Sequence, residues 1–307
     1  MEHRRVFVTG GAGLVGRHLV PLLVAKGYQV TVLDQFPCKL DSVKFIQGDF
    51  SDTSLVTPIL NASDIVVHLA AVIGVDNCRD NPERVIEINN TNTQKFFDAC
   101  VSARVHKIVF SSSSEVYGDS KDVPFREDGE LSPYSVYGKN KVLMEKYLQK
   151  LHQKSGVKVG IVRLFNVYGP GQRATFVVPI FIKNCLTNKS LTIHGDGKQV
   201  RCFTYVEDAA HGILAICEYA KTGFEIVNIG RNYEYTMMDL AKTVMHALPM
   251  SKSKVVFIPY GENGVRSSSM EVMRRVPFTQ KAKKLLHFEA TTSLEEGINK
   301  TIKHGNL

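Results

Sequence analysis

Tyr137 and Lys141 stand four residues apart in SPYSVYGKNKVLMEKYLQKLHQK, a stretch that reads as a helix, so their side chains share one face. An ammonium beside a phenol favours the phenolate, which lets a tyrosine with an ordinary pKa of about 10 act as a base near neutrality. The same spacing also occurs on plain amphipathic helices. Tyr134 cannot take this part, because its i+4 residue is Gly138. A second reactive cluster, Ser111, Ser112, Ser113, Ser114, Glu115, Val116 and Tyr117, is delivered by the strand HKIVFSS. The third is VFVTGGAGLVG, where Gly10, Gly13 and Gly16 fall at three-residue steps between an apolar strand and a helical pattern. A diphosphate needs backbone N–H donors and the positive end of a helix dipole, and a Cβ on the turn would hold it off. Glycines that serve only a tight turn look alike. Here a second strand, QVTVLD, ends in Asp34, 18 residues after Gly16. A carboxylate there can bond both ribose hydroxyls of an adenosine and would repel a 2′-phosphate. The pattern predicts dinucleotide binding, with NAD favoured over NADP; Arg17 is the one residue that softens that preference.

The elements that must position these groups alternate. SVKFIQGD reads as a third strand ending at Asp49, and DIVVHLAA as a fourth, followed by a long helical pattern from Pro82 to Ala103 and the fifth strand. Such alternation means a parallel sheet with helices on both faces. Ala70 and Ala71 are small residues at a strand's carboxyl end, where a cofactor would lie or where close packing alone would want them. Further on, FVVPIFIKNCL is helical with Pro179 as an interruption, SLTIHGDG is a short strand and turn, Val206 to Ala220 is a helix, and FEIVNIG resembles a strand returning to the main sheet. Helices near Met237 to His246, Gln280 to Leu286 and Ser293 to Lys303 are expected to complete a smaller lobe.

At 307 residues, 44% hydrophobic and 22% charged, the chain has the make-up of a globular protein with a substantial core. No apolar run approaches bilayer length, and Arg4 and Arg5 lead straight into the first strand, so the expected location is cytoplasmic and no membrane partner is expected. Six cysteines lie far apart with no CxxC pair, which predicts free thiols and no metal site. A net charge of +8 would suit an anionic partner, but no aromatics interleave with the basic runs, so nucleic acid is not expected.

TGGAGLVG, SSSSEVYG, Tyr137-x-x-x-Lys141, RLFNVYGPG and GDGKQVRCFTYVED, in this order and spread over nearly the whole chain, resemble the extended short-chain dehydrogenase/reductases that modify nucleotide sugars, the NAD-dependent epimerase/dehydratase family. The resemblance implies an α/β fold: a Rossmann-type doubly wound parallel sheet with a smaller C-terminal α/β substrate domain. It puts the NAD-binding domain at residues 1–170, rejoined by about 203–230, and the substrate domain at 171–202 and 231–307. Gly10, Gly13 and Gly16, with Leu14 and Val15, would line the pyrophosphate, and Asp34 the adenosine ribose. Asp49 and Phe50 would sit at the adenine, and Leu69, Ala70 and Ala71 along the cofactor. Ser113 would hydrogen-bond the sugar O4, Tyr137 would remove its proton, and Lys141 would hold the nicotinamide ribose and the phenolate. Ser114, Asn166 and Arg201 would bind substrate, with Arg201 on the diphosphate, a task suited to a guanidinium fork. Cys202 departs from the aspartate of many relatives, and a further substrate arginine is expected among Arg266, Arg274 and Arg275. Relatives commonly dimerise through the 82–103 helix and the Tyr137 helix, for which Val142, Leu143, Leu148 and Leu151 offer apolar positions.

The shared first step, oxidation at carbon 4, leaves a 4-keto sugar from which the reactions diverge: hydride return to the other face (4-epimerase), loss of water after deprotonation at carbon 5 (dehydratase), or loss of carbon dioxide from a uronic acid (decarboxylase). A net oxidoreductase would instead release its NADH. Glu115 stands where relatives that deprotonate carbon 5 carry a glutamate, which tilts the reading towards a dehydratase, although a cap-forming carboxylate at a strand end would look the same. Ser114 stands where many 4,6-dehydratases have aspartate, and serine there also resembles the decarboxylases. Uridine diphosphate sugars are the expected substrates.

Overall fold

The computed structural model describes residues 5–73, 80–221, 223–260 and 272–305. Arg4, Cys78 and Arg266 lie outside the described residues. With strands numbered along the chain, the main sheet contains β1 (Arg5–Thr9), β2 (Gln29–Asp34), β3 (Lys44–Gln47), β4 (Ile65–His68), β5 (Lys107–Ser113), β6 (Lys158–Leu164) and β11 (Phe224–Ile229). All pair in parallel, in the order β3-β2-β1-β4-β5-β6-β11. The strands are apolar along their length because both faces are covered, and successive side chains go to opposite faces. Val6, Val8, Val30, Val32, Val67 and Val109 pack against Leu19 and Leu23 of α1 (Leu14–Ala25) and Ile213 of α7 (Val206–Glu218). Phe7, Leu33, Val66, Ile108, Phe110 and Ile161 face the other way, onto Leu60 of α2 (Thr53–Asn61), Phe96 and Phe97 of α4 (Thr93–Ser102), and Met144 and Leu148 of α5 (Val136–Ser155). Strand order reverses between β1 and β4, so their carboxyl ends open the crevice in which doubly wound sheets bind ligands.

The helix expected over 82–103 is three segments: α3 (Pro82–Ile86), a π turn (Glu87–Asn92) and α4. The π turn presents buried Asn89 to the loop after β4, where its amide exchanges two 2.8 Å hydrogen bonds with the backbone of Val72. Periodicity does not reveal a side chain recruited to satisfy a distant backbone. Nor does it separate core from surface on α5. Leu148 is fully buried, Val142 and Leu151 pack inward, and only Leu143 of the four apolar positions is exposed, as is Ile86.

The smaller lobe gathers three short sheets: β7 (Val167–Tyr168) with β10 (Thr204–Tyr205), β8 (Leu191–His194) with β13 (Val255–Ile258), and β9 (Val200–Arg201) between β12 (Tyr235–Thr236) and β14 (Arg274–Arg275). Phe181 and Ile182 of α6 (Val177–Leu186), Leu240 and Val244 of α8 (Met237–Ala247) and Ile298 of α10 (Leu294–His304) form its core. Pro179 does not interrupt α6; it falls in the first turn, where a backbone N–H has no helical acceptor to lose. The short helix α9 (Gln280–Leu286), expected in the small lobe, instead buries Ala282 in the main-sheet cluster. Among the described residues no helix is long and apolar enough to cross a membrane, and no cluster of His, Cys, Asp and Glu could hold a metal.

Candidate active site

The glycine turn lies at the carboxyl end of β1. Gly10 has φ +74° and passes so close to β4's end that a Cβ there would stand 2.6 Å from the Ala70 nitrogen, which only glycine avoids. Gly16 is buried in α1, while Gly13 is exposed at the turn's outer edge. Asp34 accepts the Ala12 N–H at 2.9 Å and the Phe36 N–H at 3.0 Å, which fixes its carboxylate beside the turn. Arg17 donates from Nε to the Ala12 carbonyl at 2.7 Å. The open glycine edge, the helix N-terminus behind it and the fixed carboxylate fit a dinucleotide with an unphosphorylated ribose. Asp49 accepts from Gln35 Nε2 at 2.5 Å and from the Ser51 N–H at 2.8 Å. The Phe50 side chain turns into the core, 4.9 Å from the His68 ring and 5.7 Å from Phe96, so only its backbone is left for a base. Leu14 and Val15 likewise pack on the small lobe's core, and Leu69 and Ala70 pack on opposite faces of the sheet, with Ala71 half-buried beside them.

At the end of β5, Ser113 caps a 3-10 turn (Ser114–Val116), its hydroxyl accepting the Glu115 N–H at 3.2 Å. Ser114 is buried. Ser135 caps α5, and the helix then approaches so closely that a Cβ on Gly138 would meet the Glu115 carbonyl at 2.7 Å. That approach brings the first turn of α5, with Tyr137, against the turn carrying Ser113 and Glu115. Lys141 is buried, donates to the Ser111 carbonyl at 2.6 Å and lies 5.4 Å from the Tyr137 ring centroid. Burial pushes its amine down to about 7, and Glu145 opposes that.

Arg201 and Arg275 are register partners in the parallel pairing of β9 with β14, so both side chains stand on one face of the small sheet. Arg275 reaches Glu115 at 2.5 Å, Ser135 donates to the same carboxylate at 3.2 Å, and Arg275 Nε is buried with no hydrogen-bond partner. Burial alone would raise the Glu115 carboxyl; Arg275, Ser135 and Arg201 reverse this and hold it below the usual carboxylate range. Arg201 donates to the carbonyls of Val200 at 2.9 Å and Val272 at 2.6 Å. Asn166, at φ +38°, spends its amide on the Cys202 carbonyl at 3.3 Å. Burial pushes the Cys202 thiol up to about 12, so it is neutral in place of an aspartate. Sequence reasoning left Arg275 unranked and missed Ser135 and Asn89. The alternation of side chains in β14 was the available signal for Arg275, but it carries information only once the partner strand is known.

A doubly wound sheet with a glycine turn at its switch point, and a Tyr-x-x-x-Lys helix packed on a serine-tipped strand, define a dinucleotide-dependent enzyme of the extended short-chain dehydrogenase/reductase type. More narrowly, the chain belongs to the NAD dependent epimerase/dehydratase family, whose model matches residues 6–230, and NAD is its cofactor. It is 33% identical over 320 residues to the UDP-N-acetyl-alpha-D-glucosaminuronate decarboxylase of Bacillus cytotoxicus, covering 98% of this chain and 97% of that one. It is 32% identical over 317 residues to the human dTDP-D-glucose 4,6-dehydratase, covering 98% and 89%. The structure of UDP-glucuronic acid 4-epimerase from Bacillus cereus, in complex with UDP-glucuronic acid and NAD, superposes with a TM-score of 0.88 at 30% identity, covering 98% of each chain.

Proposed function

We propose that this enzyme decarboxylates a UDP-uronic acid through oxidation at carbon 4. The observation that carries this reading is Arg275, paired with Glu115 and standing beside Arg201 on one face. Arg201 is suited to the diphosphate, which leaves Arg275 to exchange Glu115 for a carboxylate on the sugar. The same pairing tells against the tilt towards a dehydratase, since a carboxylate held ionised by an arginine is a weak base for carbon 5, and buried Ser114 is no acid for departing water.

In this reading Tyr137 takes the carbon 4 hydroxyl proton, Ser113 hydrogen-bonds that oxygen, and charged Lys141 favours the phenolate. The chemistry NAD supplies when bound is reversible acceptance of hydride from carbon 4. The resulting 3-keto-acid relationship between the carbon 4 ketone and the carboxylate lets the C–C bond electrons flow into the ketone as carbon dioxide leaves. Tyr137 and Ser113 steady the developing oxyanion, carbon 5 takes a proton from water, and Tyr137 returns its own to the carbon 4 oxygen as the ketone is reduced. Gly10, Gly13, Gly16, Asp34 and Asp49 are assigned to the cofactor, Ser113, Tyr137 and Lys141 to the reaction, and Arg201, Arg275 and Asn166 to the substrate side. The cofactor domain is assigned the main sheet with α9, and the substrate domain the three small sheets with α6, α8 and α10. Exposed Leu143 and Ile86, on packed α5 and α3, support a homodimer through those helices.

The test is to incubate the purified protein with UDP-glucuronate, without added NAD, and read the products by mass. Loss of one carbon dioxide supports the proposal. An isomer of unchanged mass with new sugar proton couplings makes the enzyme a 4-epimerase, the reaction named for its B. cereus neighbour, and loss of water restores the dehydratase.

A further inference from the structure

A buried ion pair lies behind the arc from Ser111 to Tyr117. Arg163 of β6 is 2% exposed and Glu145 of α5 is 4% exposed. Arg163 donates to Glu145 from Nε at 3.0 Å and from Nη2 at 2.6 Å. The pair then reaches the arc at two points. Ser112 Oγ donates to Glu145 Oε1 at 2.5 Å, and Arg163 Nη1 donates to the Tyr117 hydroxyl at 2.9 Å, which itself donates to Asn228 Oδ1 at 2.7 Å. Between those two points stand Ser113 and Glu115. One turn before Glu145, on the same helix face, Lys141 holds the Ser111 carbonyl.

Stability does not account for such a pair. Taking two charges out of water carries a large desolvation cost, and well-packed apolar side chains of similar volume are often as stable or more so. What apolar side chains cannot do is hold two hydroxyls at fixed distances from a helix. We infer that Glu145 and Arg163 are positioning residues, which clamp both ends of the Ser111–Tyr117 arc to α5 and so fix Ser113 and Glu115 relative to Tyr137 and Lys141. The inference rests on the catalytic reading of Ser113, Tyr137 and Lys141. Glu145 has a second effect, as the anion one turn along from the Lys141 ammonium. The other groups around Lys141 are His68 on β4, the Phe110 ring and Ser111 carbonyl on β5, and Tyr137 on its own helix. His68 is neutral, its imidazole pushed down to about 3 by burial and by Lys141.

The experiment compares NAD-loaded wild type, E145Q and the volume-matched double variant E145M/R163M in the full chain. UDP-glucuronate is the probe, its turnover is followed by the mass of the product, and amide exchange is followed over 111–117. In the folded double variant kcat falls about tenfold to hundredfold with KM nearly constant, and the arc's amides exchange faster while the rest of the sheet does not change. In E145Q the alkaline limb of the pH profile moves to lower pH, because Lys141 loses its counter-charge and gives up its proton sooner. A folded double variant with wild-type kcat and wild-type exchange overturns the inference. So does an unmoved pH limb in E145Q, and E145Q decides alone if the double variant does not fold. Absence of turnover in the wild type, or full activity in Tyr137→Phe, overturns instead the catalytic reading on which the inference stands.

Discussion

Arg274 and Arg275 are neighbours of the same type with opposite fates. Arg274 turns outward to an exposed pair with Glu234, and Arg275 turns inward to Glu115, because successive residues of a strand face opposite sides. Arg275→Met is expected to raise KM for UDP-glucuronate by roughly tenfold to hundredfold, the value of a charge-assisted hydrogen bond, whereas Arg274→Met leaves it near wild type. Steady-state kinetics of the two variants check this, and equal effects would remove Arg275 from the carboxylate. Tyr137, Lys141 and Asp34 could be singled out as candidates from residue type and local spacing, and Ser113 from the family resemblance. Arg275 and Ser135 were not, since their parts depend on a strand pairing and on a helix approach that bring distant segments together. Phe50 shows the reverse: its position was legible, but whether its ring or its backbone faces the crevice was decided by aromatic packing around His68.

Alternation of apolar strands and helical stretches was enough to place β1 to β5, and FEIVNIG was legible as a returning strand, whereas β6, which leads from the Tyr137 helix into RLFNVYGPG, was not singled out. The π turn was not legible, because the Asn89 amide it presents pairs with the distant backbone of Val72, which local periodicity does not show. Single π turns inside helices often mark functional positions. Asn89→Ala leaves the Val72 N–H and carbonyl without their partner, which costs about 1–3 kcal/mol locally if they stay buried. The expected outcome is protein that purifies with less bound NAD and melts earlier, while its product, read by mass, is the same as that of the wild type. Unchanged NAD content in Asn89→Ala would make the π turn a matter of helix packing alone.

For the whole molecule, the proposed homodimer rests on two exposed side chains, Leu143 and Ile86. If α3 and α5 pair with their copies, Leu143→Glu buries a charge at that seam and shifts the protein to a monomer by light scattering, with its fold retained by circular dichroism. A dimer that survives this substitution uses another surface. The two lobes are also interleaved along the chain: β6 is complete by residue 164, the small lobe begins, and only β11 closes that edge of the sheet, where Asn228 takes the Tyr117 hydroxyl across 111 positions of sequence. On the ribosome, therefore, the segment bearing Ser113 and Glu115 is made early and locked late. A nascent chain has the glycine turn and Asp34 from the start, but the Ser113–Glu115 segment gains Asn228 only when β11 has emerged and Arg275 only when β14 has.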